Sequence, residues 1–433
     1  MAWQLSICYH IGILPKPDQF LRDNAVFFVG SLAVSALNYL YYPLLGRLLT
    51  PADFGETQVV ISLFLQASVF LTVVTQVAVN VVANQSDSEH GRRTLFEIER
   101  LTLAVAATLI TVGIFCIPFF ERYLHFPSSG PFLLLALSIA ISVPLTLRGA
   151  YLRGVQAFLQ LSISGAIGSS AKIATSFILV FAGLRTLGAV AGLVVAQLVA
   201  LLYMGTIATG LGYRKPTTSR WFSPLDAGVL RPQARYGMLV LIASFVSTSL
   251  LSVDTLAVKH YFSADTAGLY SGAATIAKII FYVAGSIPTV LLSKVRVEGE
   301  PSENRRLLLR SALLTALIAG GAGLAVGLFP KPFLGLLLGS RYEPGAYLLP
   351  ALCGLSFLLA LFALFSSYCL ALRQWIVAWV SLAGAALALV LLALFHQALL
   401  TIVADLGVAV AVMLISLAAW SLPISRYTGR EHA

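Results

Sequence analysis

Charge is what this 433-residue chain has least of. Asp, Glu, Lys and Arg together make up 11% of it, where a soluble domain carries about 25%. Acids are the scarcer sign, 18 against 28 basic residues. Such a chain cannot cover a water-facing surface with polar groups. That excludes a soluble enzyme, a secreted disulfide scaffold and a disordered chain. Cysteine is also sparse: Cys8 stands alone near the N-terminus, and Cys116, Cys353 and Cys369 lie in apolar runs. No Cys-x-x-Cys or Cys/His spacing supports a zinc site or a disulfide framework. The six histidines are scattered. HExxH, a Walker loop and a Ser/His/Asp pattern are absent, so the sequence offers no argument for catalysis, a metal or a cofactor.

Apolar residues are abundant, at 58% of the chain with a mean hydropathy of +0.89. The solvent of this protein is lipid. A bilayer core of about 30 Å takes about 20 apolar residues of helix. Twelve such runs are readable, near 25–46, 57–83, 101–120, 131–152, 160–183, 186–209, 236–258, 266–292, 308–329, 346–371, 375–395 and 399–421. The first is too long for a cleaved leader and has no small-residue cleavage site after it. Residues 1–20 read as a short interfacial segment without a motif.

The net charge of +10 would suit nucleic acid in a soluble chain. Here it reflects basic loops held on one side of the membrane. With the N-terminus cytoplasmic, 20 lysines and arginines fall in inside segments and 6 outside (Arg47, Arg122, Arg185, Lys259, Lys331 and Arg341). That asymmetry predicts cytoplasmic termini.

The longest polar interruption, 211–235, carries Pro216, Pro224 and Pro232 and divides the spans six and six. The expected organisation is a cytoplasmic segment (1–24), a six-helix bundle (25–210), a linker (211–235), a second six-helix bundle (236–422) and a cytoplasmic tail (423–433). A constant offset of 213 relates the halves: Ser31 to Ser244, Ser35 to Thr248, Gly55 to Gly268, Ser62 to Thr275, and Arg92-Arg93 to Arg305-Arg306. A Ser-Glu pair precedes each double arginine, Ser88-Glu89 and Ser302-Glu303. Two even-numbered halves share one orientation, so their pseudo-twofold axis lies along the membrane normal. That is a plan for alternating access around one central site. Pro43, Pro144 and Pro288 are candidate bending points, while the glycines of 319–323 read better as close helix packing.

Ionisable groups within spans are expensive and are functional candidates by default. Lys172 and Lys278 each lie twelve residues into a span, about 18 Å from its start, too deep to snorkel. One lies in each half. Facing one cavity, they would favour an anion such as phosphate or pyrophosphate; otherwise each caps carbonyls or pairs with a buried acid. Asp254 either meets a cation in the cavity or sits at the interface, where Asp405 is also expected. Arg148, with Arg153, either anchors the inner face or lines the cavity mouth. Arg47, near the offset position of Lys259 and His260, either attracts substrate or anchors the outer interface. Tyr39, Tyr41 and Tyr42 could stack on sugars, though tyrosine also favours interfaces.

The stretch GRLLTPADFGETQVV (46–60), after a first span containing Asn38, resembles the first signature of the polysaccharide export proteins. That family includes the Wzx-type flippases of the multidrug/oligosaccharidyl-lipid/polysaccharide exporter superfamily. DTLAVKHYFSADTAGLYSGAATI (254–276) is similar to the family's C-terminal half, and RGAYLRGVQAFLQ (148–160) and the run from Gly183 to Ala189 to its fourth-to-sixth span region. The resemblance covers most of 25–300. It implies an all-α, V-shaped fold of twelve transmembrane helices in a bacterial inner membrane. It also implies transfer of a polyprenyl-pyrophosphate-linked glycan from the inner to the outer leaflet. By position it carries the substrate-binding role to Lys172, Lys278, Asp254 and Arg148, whose basic members would hold the pyrophosphate or acidic sugars. Proton or sodium coupling is common in such proteins. The expected partners are the lipid-linked glycan, membrane lipids and a coupling ion; a monomer is mechanically sufficient, and no nucleic acid is expected.

The alternative within the superfamily is an ion-coupled drug or metabolite antiporter. A cation exporter calls for acids at mid-membrane, whereas the deep charges here are basic. A polysaccharide polymerase or ligase needs a large outer catalytic loop, and the outer loops are short. A major-facilitator carrier needs a glycine/acid/arginine signature that 84–100 lacks.

Overall fold

The computed structural model describes residues 17–85, 89–213, 227–295 and 300–421, all of them helical or in short connections. The segment before Pro17, most of the 211–235 linker, the tail after Ser421, Ser88 and the side chains of Ser31 and Arg92 lie outside the described residues. Among the described residues no strand occurs. Eight helices are long and apolar enough to cross a membrane, or ten when each of two bent pairs counts as one span.

The first helix, α1, runs Pro17–Leu48. The second apolar run is broken into α2, Pro51–Ala67, and α3, Val69–Gln85, bent by 42°. Helices α4 (Glu89–Tyr123) and α5 (Gly130–Gly154) follow, with Pro118 and Pro144 inside them. A continuous 53-residue apolar helical stretch, Phe158–Gly210, is in fact a hairpin. Its arms α6 (Phe158–Leu179) and α7 (Arg185–Gly210) join through a π-helical turn at Val180–Leu184. Gly183 there has φ of +91°, where a side chain would be strained. The arms pack antiparallel: Gly168 faces Ala196, and Gly192 lies against Ser176 and the Lys172 carbonyl. Small residues at such contacts let helices approach closely in lipid, where there is no water to drive them together.

The seventh run is also bent, by 44°, between α8 (Ala227–Leu250) and α9 (Val253–Tyr261). Neither bend in a broken run contains proline. At the second, the Ser252 hydroxyl donates to the Thr248 carbonyl at 2.8 Å, a local bond that competes with the helix ladder. Helices α10 (Ala264–Ala284) and α11 (Ser286–Lys294) are separated at Gly285, three residues before Pro288. Helix α12, Pro301–Leu328, runs unbroken through the 319–323 glycines, which make only ordinary contacts with Phe357 and Ile280. The short α13 (Pro330–Leu337) and a 3-10 turn (Ser340–Leu348) lead into α14 (Leu349–Ala371), α15 (Ile376–Leu394) and α16 (Leu399–Ser421).

Burial is inverted relative to a soluble protein. Phe115 and Phe181 are about four-fifths exposed (81% and 80%), whereas Lys259, Asp254 and Glu56 are buried. The exposed apolar faces meet lipid, and this is a multi-pass membrane protein. One continuous core runs through α8–α16 and reaches Tyr41, Leu45 and Phe54. The helices before residue 210 instead hold three smaller cores, with polar cavities between them.

Two local features follow the 213-residue offset. Thr50 caps α2 by accepting from the Asp53 N–H at 3.2 Å, and Ser263 caps α10 by accepting from the Thr266 N–H at 3.4 Å. Gly55 and Gly268 then abut backbone to backbone where α2 crosses α10.

Candidate functional site

Four ionisable groups lie buried on the helices around the α2–α10 crossing: Glu56, Asp254, Lys259 and, on α6, Lys172. Lys278 is nearly as enclosed, with a side-chain exposure of 18%. Three ammonium groups are therefore held out of water, and their partners differ.

Lys278 Nζ lies 3.3 Å from Asp254 Oδ1. The same oxygen accepts from the Thr255 N–H at 2.7 Å and the Thr255 hydroxyl at 3.2 Å, and Oδ2 accepts from the Tyr270 hydroxyl at 3.2 Å. The structure thus brings Lys278 and Asp254 together as a buried ion pair, with Lys278 Nζ also donating to the Thr255 hydroxyl at 3.4 Å. Lys259 Nζ is 3.3 Å from Glu56 Oε1 and 5.1 Å above the Phe126 ring, and Glu56 Oε2 accepts from the Thr186 hydroxyl at 3.0 Å. This pair joins α9 to α2 across 203 residues of sequence.

Lys172 is different. Its Nζ donates to Asn38 Oδ1 at 2.6 Å and lies 4.3 Å over the Tyr41 ring. Asn38 Nδ2 in turn donates to the Val34 carbonyl at 3.1 Å, which orients the amide oxygen toward the lysine. The Tyr41 hydroxyl is fixed on the Ala189 carbonyl at 3.0 Å. Among the described residues no carboxylate lies within ion-pair distance of Lys172. The ammonium has one neutral acceptor and one aromatic face, and two of its three donor positions are left for something else.

Lys172 lines a cavity of about 480 Å³ enclosed by α1, α5, α6 and α7, with Ser162, Ser164, Ser169, Gln197 and Arg153 on its walls. The Ser162 and Ser164 hydroxyls and Gln197 Oε1 are buried without a partner. A second cavity of about 430 Å³ shares Leu145, Arg153 and Gln197 with the first and adds Thr72, Thr75, Gln76 and Thr146. A third, of about 580 Å³, is apolar apart from Gln66 and lies between α2–α5 and α8, with Leu382 at its edge.

The remaining expected site residues fall elsewhere. Lys278 does not share the cavity with Lys172; it pairs with Asp254 as an alternative reading allowed. Arg148 hydrogen-bonds the Pro144 carbonyl at 3.3 Å, its Nε is buried without a partner, and it sits beside Gly205. Arg47 lines none of these three cavities: it is exposed, and its Nη2 donates to the Leu336 carbonyl at 2.5 Å. That correction has a simple cause, since the carbonyls at the end of α13 lack helical partners. Asp405 Oδ2 and His396 Nδ1 are buried without partners. Glu56 was missed because it precedes the second apolar run as read from sequence, although α2 starts at Pro51.

No cluster of three or more His, Cys, Asp or Glu side chains able to hold a metal occurs among the described residues.

A family model described as "Polysaccharide biosynthesis protein" matches residues 20–292. The chain belongs to that family. Among curated proteins no sequence matches it. Solved structures share its fold at low identity. An inward-facing multidrug resistance MATE family transporter of the MOP superfamily aligns with a TM-score of 0.70 at 16% identity, over 92% of this chain and 96% of that one. The lipid II flippase MurJ in an inward closed conformation aligns at 0.68 and 13%, over 92% and 87%. A MOP superfamily transporter from Pyrococcus furiosus, whose binding pocket is described as of reverse polarity, aligns at 0.60 and 17%, over 94% and 96%. The fold is that of the MOP superfamily.

Proposed function

We propose that this polysaccharide biosynthesis protein is a flippase. It carries a polyprenyl-(pyro)phosphate-linked oligosaccharide from the cytoplasmic to the outer leaflet of a bacterial inner membrane by alternating access. In this reading the bent pairs and the α6–α7 hairpin resolve the chain into twelve transmembrane helices. These form two six-helix bundles, 25–210 and 236–422, about a pseudo-twofold axis along the membrane normal. The Gly55–Gly268 contact would lie on that axis. Both termini are cytoplasmic, so the Arg47 end faces outward and the Arg153 end inward.

The observation that carries the reading is Lys172: a buried cation without a counterion, on the wall of a polar cavity. A structural lysine would have been paired, as Lys278 and Lys259 are. An unpaired one is a standing demand for an anion. A drug antiporter for cations would place acids there, and the buried acids Asp254 and Glu56 are already neutralised by lysines.

The test is a leaflet assay in liposomes bearing a fluorescent polyprenyl-pyrophosphate glycan on one face. Wild-type protein should move it to the other face. Lys172→Ala should slow transfer about tenfold or more, the loss expected for a charge-assisted hydrogen bond worth about 1.5–3 kcal/mol. Absence of transfer with several such glycans, together with uptake of a cationic drug, would place the protein among the antiporters.

A further inference from the structure

The apolar cavity of about 580 Å³ has no part in the flippase reading. Its size falls within the range of small-molecule sites, about 300–1,000 Å³. Helices α2 to α5 line one side of it, and α8 with Leu382 of α15 lines the other. It therefore bridges helices from before residue 210 and after 227. Its inner wall is buried: Ile117, Phe132, Ile139 and Val246 are each less than one-tenth exposed. Leu109, Phe245 and Leu382 also line it and are exposed apolar residues. On a membrane protein such residues meet lipid, so a ligand reaches this cavity through the bilayer. Gly113 leaves it room, since nothing stands within 4 Å of where a Cβ would be.

Four phenylalanines, Phe70, Phe120, Phe132 and Phe245, stand on the wall. Phe120 and Phe132 stack with ring centroids 6.3 Å apart. Aromatic rings favour stacked or edge-on contact with a further ring. Gln66 is the one polar side chain of the lining. Its Nε2 donates to the Ser249 hydroxyl, whose own proton goes to the Phe245 carbonyl at 2.7 Å. That order fixes the amide, and Oε1 is the atom left buried without a partner. Gln66 stands near the middle of the broken run Pro51–Gln85, at a depth where no water is at hand to pair it. An acyl or prenyl chain would fill the volume and leave this acceptor unpaired. A phospholipid keeps its polar groups at the surface. A ligand with one donor set in an apolar body would satisfy the oxygen. The terminal torsion of glutamine is soft, so Oε1 can turn to a donor inside the cavity.

We propose that this cavity is a binding site for a lipophilic phenol, its ring among the four phenylalanines and its hydroxyl donating to Gln66 Oε1. Gln66 already ties α2 to α8, so the ligand sits on a joint between the two sets of helices. A molecule that contacts both walls favours this arrangement over any in which they part. Bound phenol therefore slows transport, and that consequence alone rests on the flippase reading.

The site can be probed with the full chain in lipid nanodiscs, titrated with radiolabelled 4-octylphenol against empty nanodiscs. The methyl ether, 4-octylanisole, keeps the ring and chain and lacks the donor. The phenol should bind saturably, and the ether should compete about tenfold more weakly or worse. Gln66→Leu should bring the two within about threefold of each other. Gly113→Leu fills the cavity and should weaken both about tenfold or more. Melting temperatures separate a filled cavity from a lost fold, and Gly113→Ala is the milder plug if the larger one melts early. Uptake no different from empty nanodiscs, equal competition by phenol and ether, or undiminished binding to a folded Gly113→Leu overturns the site. In the leaflet assay, saturating phenol should slow glycan transfer by wild type about fivefold or more and leave Gly113→Leu near its untreated rate. Transfer by wild type that saturating phenol does not slow overturns the joint and retains the site. Absence of glycan transfer by untreated protein, with the phenol preference intact, discards the flippase reading and retains the site.

Discussion

At the scale of single residues, the question is what a buried charge is for. Taking an ammonium out of water costs several kcal/mol even after relaxation. Lys259 and Lys278 offset that cost with Glu56 and Asp254 at 3.3 Å, whereas Lys172 has only Asn38 and the Tyr41 ring. The consequences of removing each lysine therefore differ in kind. Lys278→Ala leaves Asp254, 2% exposed, as an uncompensated buried acid. Its expected cost is about 3–5 kcal/mol, the usual figure for breaking a buried pair by removing one partner. Replacing both members with apolar residues of similar volume should restore much of that loss. Lys172→Met strands no carboxylate and keeps the volume, so it should cost less than about 1.5 kcal/mol of stability, as volume-conserving swaps do, while slowing glycan transfer about tenfold or more. Unfolding of the three proteins in one detergent checks both statements. If Lys172→Met unfolds as early as Lys278→Ala, Lys172 is a structural residue and the cavity loses its anchor.

At the scale of elements, close packing takes the place of hydrophobic drive. Gly55 and Gly268 let α2 and α10 cross with their backbones in contact, and a Cβ on Gly268 would overlap the Pro51 carbonyl. Because that neighbour is backbone at the start of a capped helix, it has no side chain to swing aside. Gly268→Ala should thus cost at least the 1–3 kcal/mol typical of overpacking, roughly. Gly321→Ala, where nothing stands within 4 Å, should be neutral or slightly stabilising by helix propensity. Parallel melting curves in nanodiscs decide this, and equal melting points would deny the crossing its tight contact. Much of this architecture was legible in advance. Each of the twelve apolar runs coincides with a helix or a broken pair of helices, because span length and hydropathy are set by the bilayer itself. The caps at Thr50 and Ser263 fall at the same offset of 213, although the sequence alone did not single them out. The bends at Ser68 and Leu251–Ser252 were not foreseen, since neither contains proline; at the second the Ser252 hydroxyl bonds the Thr248 carbonyl. Lys172 was legible as a deep charge, but its partner Asn38 lies 134 residues away, and Glu56 with Lys259 lies farther still. Pairings over such separations leave no local signal. The cavity wall is equally silent in sequence: Ser164 and Gln197 become notable only once α6 and α7 fold back at Gly183.

At the scale of the whole molecule, several ties between the helices before residue 210 and those after 227 lie near the Arg47 end, while Gln66 with Ser249 and Val73 with Gly237 join α2 and α3 to α8 farther along. Arg47 holds the Leu336 carbonyl, Lys259 holds Glu56, Phe54 packs edge-on against Tyr342, and Tyr123 stacks on His260 with ring centroids 3.8 Å apart. His260 Nδ1 also contacts the Tyr123 carbonyl at 2.7 Å. The polar cavities lie on the other side, around Arg153. In the flippase reading proposed above, these ties at the Arg47 end would close one of the two states that alternating access requires. Reaching the other state would then mean parting the Arg47 and Tyr123–His260 ties, while the Gly55–Gly268 crossing, flanked by Phe54 and Glu56, serves as pivot. A covalent link across the closed end should therefore stop transport without unfolding anything. With the native cysteines Cys8, Cys116, Cys353 and Cys369 replaced, Tyr123→Cys together with His260→Cys can be bridged by a short bismaleimide carrying a cleavable disulfide. Glycan transfer should fall to the background of empty liposomes on bridging and return on reduction. The same reagent on a pair within one half, such as Phe119→Cys with Tyr123→Cys, should have little effect. Full transfer from a completely bridged protein would mean that the two halves never separate at this end, and rocking about the α2–α10 crossing would have to be abandoned as the mechanism.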